Sequence, residues 1–117
     1  MNSSPKQDYW QALERLLQNA QIVIDRPRGH PHPRYPELIY PLDYGYLEGT
    51  TAGDGAGIDI WLGSQTDHTL TGILCTIDTI KRDAEIKILA GCTPGDIEAI
   101  LHFTDQMTPH IYIPKPQ

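Results

Sequence analysis

Cysteine is nearly absent: Cys75 and Cys92 are the only two, and they stand far apart. A disulfide framework needs more of them and a zinc pattern needs closer spacing. Both are therefore expected as reduced thiols in or near the core of a cytosolic protein. Basic residues are scarce too, nine Lys and Arg against fifteen Asp and Glu, for a net charge of −6. Phosphate backbones are gripped by clustered Lys and Arg, so nucleic acid is not expected as the main partner. The chain also lacks a basic strip with interleaved aromatics, which argues against an oligonucleotide-binding surface. No apolar run approaches the length of a membrane span, and the opening MNSSPKQDYW carries no signal-peptide pattern. The expected location is the cytoplasm, with no membrane partner.

What the chain does have is 117 residues, enough for one domain with one modest core, and ten glycines beside ten prolines, which make it rich in turns. The stretch PKQDYWQALERLLQN predicts an N-terminal helix over about 5–19, with Ser4 as its cap and Pro5 at its first position. Tyr9, Trp10, Leu13, Leu16 and Leu17 recur at helical spacing as its apolar stripe. Short strands follow at 21–25, at 38–49 (irregular), at 58–64, at 70–78 and at 84–90. Thr93 caps a second helix, Pro94 opens it, and it runs to about Met107 with Ile97, Ile100, Leu101 and Phe103 as its packed face. HIYIP, residues 110–114, reads as a final edge strand. This order predicts a mainly β, α+β fold: one small closed or half-closed sheet over about 21–91, with flanking helices. An exposed apolar edge such as HIYIP predicts a homo-oligomer.

The loop RPRGHPHPRYPE, residues 26–37, holds four prolines and cannot pair in the middle of a sheet. It also carries Arg26, Arg28 and Arg34, a local positive field in an acidic protein. Beyond it, Asp54 and Asp59 stand at the two ends of the turn DGAGID, and Asp78 and Asp83 repeat that spacing at the ends of DTIKRD. Four carboxylates meeting at one end of a sheet would repel one another unless a cation sat among them. Oxygen-only ligands suit Mg²⁺, Mn²⁺ or Ca²⁺, and the scattered histidines do not suggest zinc. Aspartate is equally a turn residue, because its side chain bonds nearby backbone, so spacing alone supports either reading.

One stretch adds to this. Tyr40-Pro41-Leu42-Asp43-Tyr44-Gly45-Tyr46, followed by Asp54-Gly55-Ala56-Gly57-Ile58-Asp59-Ile60, resembles the signature of the soluble, family I inorganic pyrophosphatases. That signature reads Tyr-Pro-x-Asn-Tyr-Gly-Tyr/Phe, then Asp-Gly-Asp-Pro-x-Asp-hydrophobic. The upstream IVIDRPRGHPHPRY looks like the family's first strand and its basic phosphate-binding loop. The resemblance covers roughly residues 21–90 and is closest to a short, trimmed branch of the family. It implies a five-stranded, OB-like barrel with flanking helices.

The resemblance further implies that Asp54 and Asp59 are metal ligands and that Asp78 and Asp83 are the pair closing the same cluster. Tyr44 falls on a tyrosine that contacts phosphate, Arg34 on a basic phosphate ligand, and Asp25 on an acidic outer residue. The departures are equally specific. Ala56 stands where the signature has an aspartate that helps to activate water, and a methyl group can neither accept a proton nor orient hydroxide. A strand pair with another phosphate-binding arginine is missing. Glu85 replaces a lysine, while Lys87, two residues on, shares that face of a strand. Phe103-Thr104 stands in place of a Tyr-Lys pair.

The implied activity is divalent-metal-dependent hydrolysis of inorganic pyrophosphate to two phosphates, with reduced activity as one expectation and Mg²⁺ or Mn²⁺ as cofactor. Asp59 and Tyr44 are the candidate catalytic residues; Arg34, Tyr44, Arg26 and Lys87 the candidate substrate ligands; and Asp54, Asp59, Asp78 and Asp83 the candidate metal ligands. Two alternatives stay open. The chain is a non-catalytic relative that binds metal and phosphate, or it hydrolyses another phosphoanhydride. Tyr44 and Tyr46 also serve equally well as core; Lys81 and Arg82 are further candidates to face phosphate, though a solvated turn tip is the favoured reading of both.

Overall fold

Helix α1, Pro5–Asn19, begins where sequence chemistry stops the preceding chain from continuing it. Ser4 is extended, its hydroxyl accepts from the Gln7 backbone N–H at 3.2 Å, and the Gln7 side chain accepts from Ser4 N in return. This capping box satisfies two orphan donors, and Pro5 has no N–H to leave unpaired. Of the apolar stripe, Trp10, Leu13 and Leu17 are buried, whereas Tyr9 and Leu16 on its flanks stay exposed. Each buried member contributes roughly 2 kcal/mol of apolar transfer. The computed structural model describes residues 4–117.

Six strands follow as one mixed sheet: β1 Ile22–Arg26, β2 Asp43–Leu47, β3 Ile58–Leu62, β4 Leu70–Asp78, β5 Asp83–Ala90 and β6 His110–Pro114. Helix α2, Pro94–Asp105, lies between β5 and β6 in the chain and is capped by a second box, Thr93 with Asp96. The strand order is β1-β2-β3-β5-β4-β6, and only the β3–β5 pair is parallel. The sheet is therefore open, with β1 and β6 at its edges, rather than closed into a five-stranded barrel. HIYIP occupies the predicted edge, paired with β4. The stretch at 38–49 narrows to Asp43–Leu47, because Pro31 and Ile39 form only an isolated bridge ahead of it.

The two faces of the sheet are packed differently. On one, Trp10, Leu13 and Leu17 of α1 cover Leu47, Ile60, Ile73 and Ile88. On the other, Ile100 and Phe103 of α2 pack with Tyr40, Leu42, Tyr44, Trp61, Leu74 and Leu89. Cys92 is buried and Cys75 half-buried, and both are free thiols. Burial pushes the Cys92 thiol up to about 12. Gly45 allows β1 and β2 to meet, since a Cβ there would stand 1.8 Å from the Val23 carbonyl oxygen. That approach is possible only for glycine, and it brings Arg26 opposite Tyr44 past a bulge in β1. Among the described residues no helix is long and apolar enough to cross a membrane.

Candidate functional site

Strand alternation builds the site. Tyr44 faces Trp61 across β2–β3, Asp59 faces Lys87 across β3–β5, and Leu74 faces Lys87 across β4–β5. Because side chains alternate along each strand, Tyr44, Asp59, Trp61, Glu85, Lys87 and Leu89 all project from the face that α2 partly covers. The helix packs on the apolar half of that face. The polar half borders a cavity of about 290 Å³, between the end of β1, the loop at His32 and the last turn of α2.

At its centre the Asp59 carboxylate (Oδ2) accepts from the Tyr44 hydroxyl at 2.7 Å and from Lys87 Nζ at 2.9 Å. Lys87 also donates to the Tyr44 oxygen at 2.8 Å and lies 3.8 Å from the Glu85 carboxylate. Burial, then the Asp59 charge and its hydrogen bond, push the Tyr44 phenol well above its ordinary value, so it remains a donor. The Glu85 carboxyl is raised, first by burial, which Lys87 opposes, and then by Asp54 and Asp59. Asp54 and Glu85 border the same cavity, and the Asp54 carboxyl is held below its ordinary value, first by the Ala56 N–H and then by Glu85. Arg26 Nη1 donates to the Tyr40 hydroxyl at 2.6 Å, and its guanidinium lies 5.8 Å from the Tyr40 and Tyr44 ring centres. His32 stacks on Tyr40 with 10° between the planes. Burial, then the charges of Arg26 and Lys81, hold its pKa below the ordinary value, which keeps the ring neutral at pH 7. The indole N–H of Trp61, in the cavity floor, has no hydrogen-bond partner among the described residues; the ring meets Tyr44 and Phe103 edge-on.

Asp54, Asp59, Tyr44, Arg26 and Lys87 thus border one cavity, with Asp25 at its rim. Arg34, Asp78 and Asp83 do not. Arg34 is exposed in the proline-rich loop, with its guanidinium 5.8 Å from the Tyr35 ring centre. Asp78 faces Asp83 across the β4–β5 end, on the same sheet face as Glu85 but about 6.6 Å further along the strand. Both turn-opening aspartates also bond their own turns. Asp54 Oδ1 accepts from the Ala56 N–H at 3.0 Å, and Asp78 Oδ1 from the Ile80 and Lys81 N–H groups at 2.9 Å each. The Lys81 and Ile80 bonds hold the Asp78 carboxyl below its usual range. Glu85 and Tyr40 join the cavity without having been picked out as site residues. The signal for Glu85 was its period-two relation to Lys87, and Tyr40 belongs to the quoted signature.

Among the described residues, no three carboxylate, histidine or cysteine side chains are gathered into a ready metal cage. Mg²⁺ seldom needs one, because it commonly takes one or two carboxylates and completes its shell with water and substrate phosphate oxygens. Asp54 and Glu85, bordering the cavity beside Asp59, fit that mode: all the donors are hard oxygen. Comparison of the sequence with models of known protein families gives no match, and comparison with curated proteins gives none.

Proposed function

We propose that this chain is a pyrophosphatase-like protein that binds Mg²⁺ or Mn²⁺ together with pyrophosphate, or a related phosphoanhydride, and hydrolyses it. One observation carries the reading: carboxylates and cations line a single cavity side by side, Asp54, Asp59 and Glu85 beside Arg26, Lys81 and Lys87. A cavity for a simple anion would have little use for the three carboxylates, and a cavity for a bare cation little use for the three bases. The two sets together suit an anion that arrives with a metal. Asp59, with Asp54 or Glu85 beside it, would supply the one or two carboxylates the ion takes, and water and phosphate oxygens would complete its shell. When bound, it would offset phosphate charge and make water a better nucleophile at neutral pH.

The remaining steps belong to the chain's own side chains. Lys87 and Arg26 hold phosphate oxygens and stabilise charge on the departing group, while the Tyr44 hydroxyl, which donates its one proton to Asp59, holds that carboxylate in place. Asp59, next to Tyr44, orients the attacking water. A P–O bond forms from that water, the bridging P–O bond breaks, and the departing phosphate takes up a proton. Asp83 sits on the β5 face beyond Glu85, where a second ion could join the first. The fold belongs to the same reading: the order β1-β2-β3-β5-β4, with β3 and β5 parallel, is what an opened OB-like barrel would have. So do a cytoplasmic location, in keeping with two free thiols, and a homo-oligomer formed through the β6 edge.

A second reading, a binder that no longer cuts, is favoured by Ala56, which supplies no base, and by Asp59 being already engaged by Lys87 and Tyr44. Phosphate release from pyrophosphate with Mg²⁺ or Mn²⁺, beside an Asp59→Asn control, separates the two. Metal-dependent release that disappears in the control supports the hydrolase. Absence of release, with a rise in melting temperature on adding Mg²⁺ and pyrophosphate, supports the binder. A large gain in Ala56→Asp would mean that only the base is missing.

A further inference from the structure

We propose that Lys87 couples cation binding to phosphate binding, by serving as the resident counter-ion of the carboxylates until phosphate draws it away. This rests on the pyrophosphatase-like reading and adds a rule for how the site fills.

The geometry is specific. The Lys87 ammonium has three donors. Asp59 Oδ2 takes one at 2.9 Å, the Tyr44 hydroxyl oxygen takes another at 2.8 Å, and Glu85 lies 3.8 Å away. Lys87 therefore stands where a divalent ion would have to approach Asp59. The pair is largely enclosed, with 17% of the Lys87 and 26% of the Asp59 side chain exposed, so neither partner can be handed to water without loss. A cation that takes Asp59 strands the ammonium. A phosphate group in the same cavity gives that ammonium a new partner, together with Arg26 and Lys81. The lysine stem is flexible enough to make the swing. Tyr44, held in the core between Tyr40 and Trp61, cannot follow, so its hydroxyl stays as a fixed donor to Asp59.

Each ligand then removes a cost that the other would meet. Linkage requires the effect to be reciprocal: phosphate tightens the cation by the same factor as the cation tightens phosphate.

Calorimetric titration of the full chain tests this with Mg²⁺ alone, inorganic phosphate alone, and each in the presence of the other. In the wild type each ligand should tighten the other by on the order of tenfold. In Lys87→Met, Mg²⁺ alone should bind about tenfold tighter than in the wild type, and most of the mutual tightening should vanish. Lys87→Arg should keep the coupling. Asp59→Asn, which leaves the lysine in place but frees it, should bind phosphate more tightly without Mg²⁺; this carries the test should Lys87→Met fail to fold. Independent binding in the wild type, undiminished coupling in Lys87→Met, or unchanged phosphate affinity in Asp59→Asn would overturn the inference and leave the proposed function standing. If neither Mg²⁺ nor phosphate binds the wild type, the inference and the pyrophosphatase-like reading fall together.

Discussion

The turns at 54–59 and 78–83 have the same spacing of aspartates, and the fold uses them differently. Each opening aspartate folds back on its own turn, Asp54 onto Ala56 and Asp78 onto Ile80 and Lys81. The closing aspartates diverge. Asp59 enters β3 beside the parallel strand β5 and meets Lys87 and Tyr44. Asp83 enters β5 at the end of a two-stranded hairpin, where its cross-strand neighbour is Asp78. Spacing along the chain is therefore a poor guide to what a carboxylate meets. The partner comes from strand register, and register here depends on a non-local parallel pairing.

The widest break in the comparison comes from removing the support beneath the first turn. Gly45→Ala forces a methyl group into the Val23 carbonyl and separates β1 from β2. We expect a loss of about 3 kcal/mol of stability by chemical denaturation, and loss of ligand binding as Arg26 and Tyr44 move apart. Next comes the direct contrast of Asp59→Asn with Asp78→Asn. Asp59→Asn should lower metal-dependent phosphate release by on the order of a hundredfold. Asp78→Asn should keep most activity and lower the melting temperature slightly, because an amide oxygen still accepts the turn N–H groups.

Smaller effects sharpen the contrast between aspartates held for stability and those proposed to hold ligands. Burial raises the Asp96 carboxyl, but hydrogen bonds from Ser64 and Thr93 outweigh it and hold it below the ordinary value. Its stabilising contribution is complete above the unfolded carboxylate range and is lost as pH falls below about 4. Asp96→Ala should cost about 1 kcal/mol at neutral pH and show a shallower acid transition, read from melting temperature against pH. Glu85→Gln has the opposite sign. It relieves crowding with Asp54 and Asp59, so without added ligand it should melt no lower than the wild type, while losing the stabilisation that the proposed function expects from Mg²⁺ with pyrophosphate. The smallest effect is chemical: half-buried Cys75 should react with a thiol reagent well before Cys92, whose thiol is buried and pushed up to about 12.

Local chemistry was easily legible in the sequence. Both helix starts follow from Ser4-Pro5 and Thr93-Pro94, and the strands at 70–78 and 110–114 lie where they are expected. Period-two reasoning also brought Lys87 onto the face of Glu85. What the sequence concealed is non-local. Nothing in 58–64 or 84–90 announces that these strands run parallel and adjacent, yet that pairing makes the Asp59–Lys87 contact. The openness of the sheet was equally hidden, because it depends on β4 pairing with β6 instead of meeting β1. Arg34 lies outside the cavity because the proline-rich loop bonds mainly to itself, from Gly29 to Tyr40 and from His32 to Leu38. Glu85 looked like a lost lysine, and that it shares a cavity with Asp54 depends on tertiary placement rather than on local sequence.

The most direct measurement is the anomalous diffraction of a crystal of this chain soaked with Mn²⁺ and a non-hydrolysable pyrophosphate analogue. The account predicts a manganese peak among Asp54, Asp59 and Glu85, with analogue oxygens on Lys87 and Arg26. A peak confined to the Asp78–Asp83 turn, or none at either turn, would contradict it.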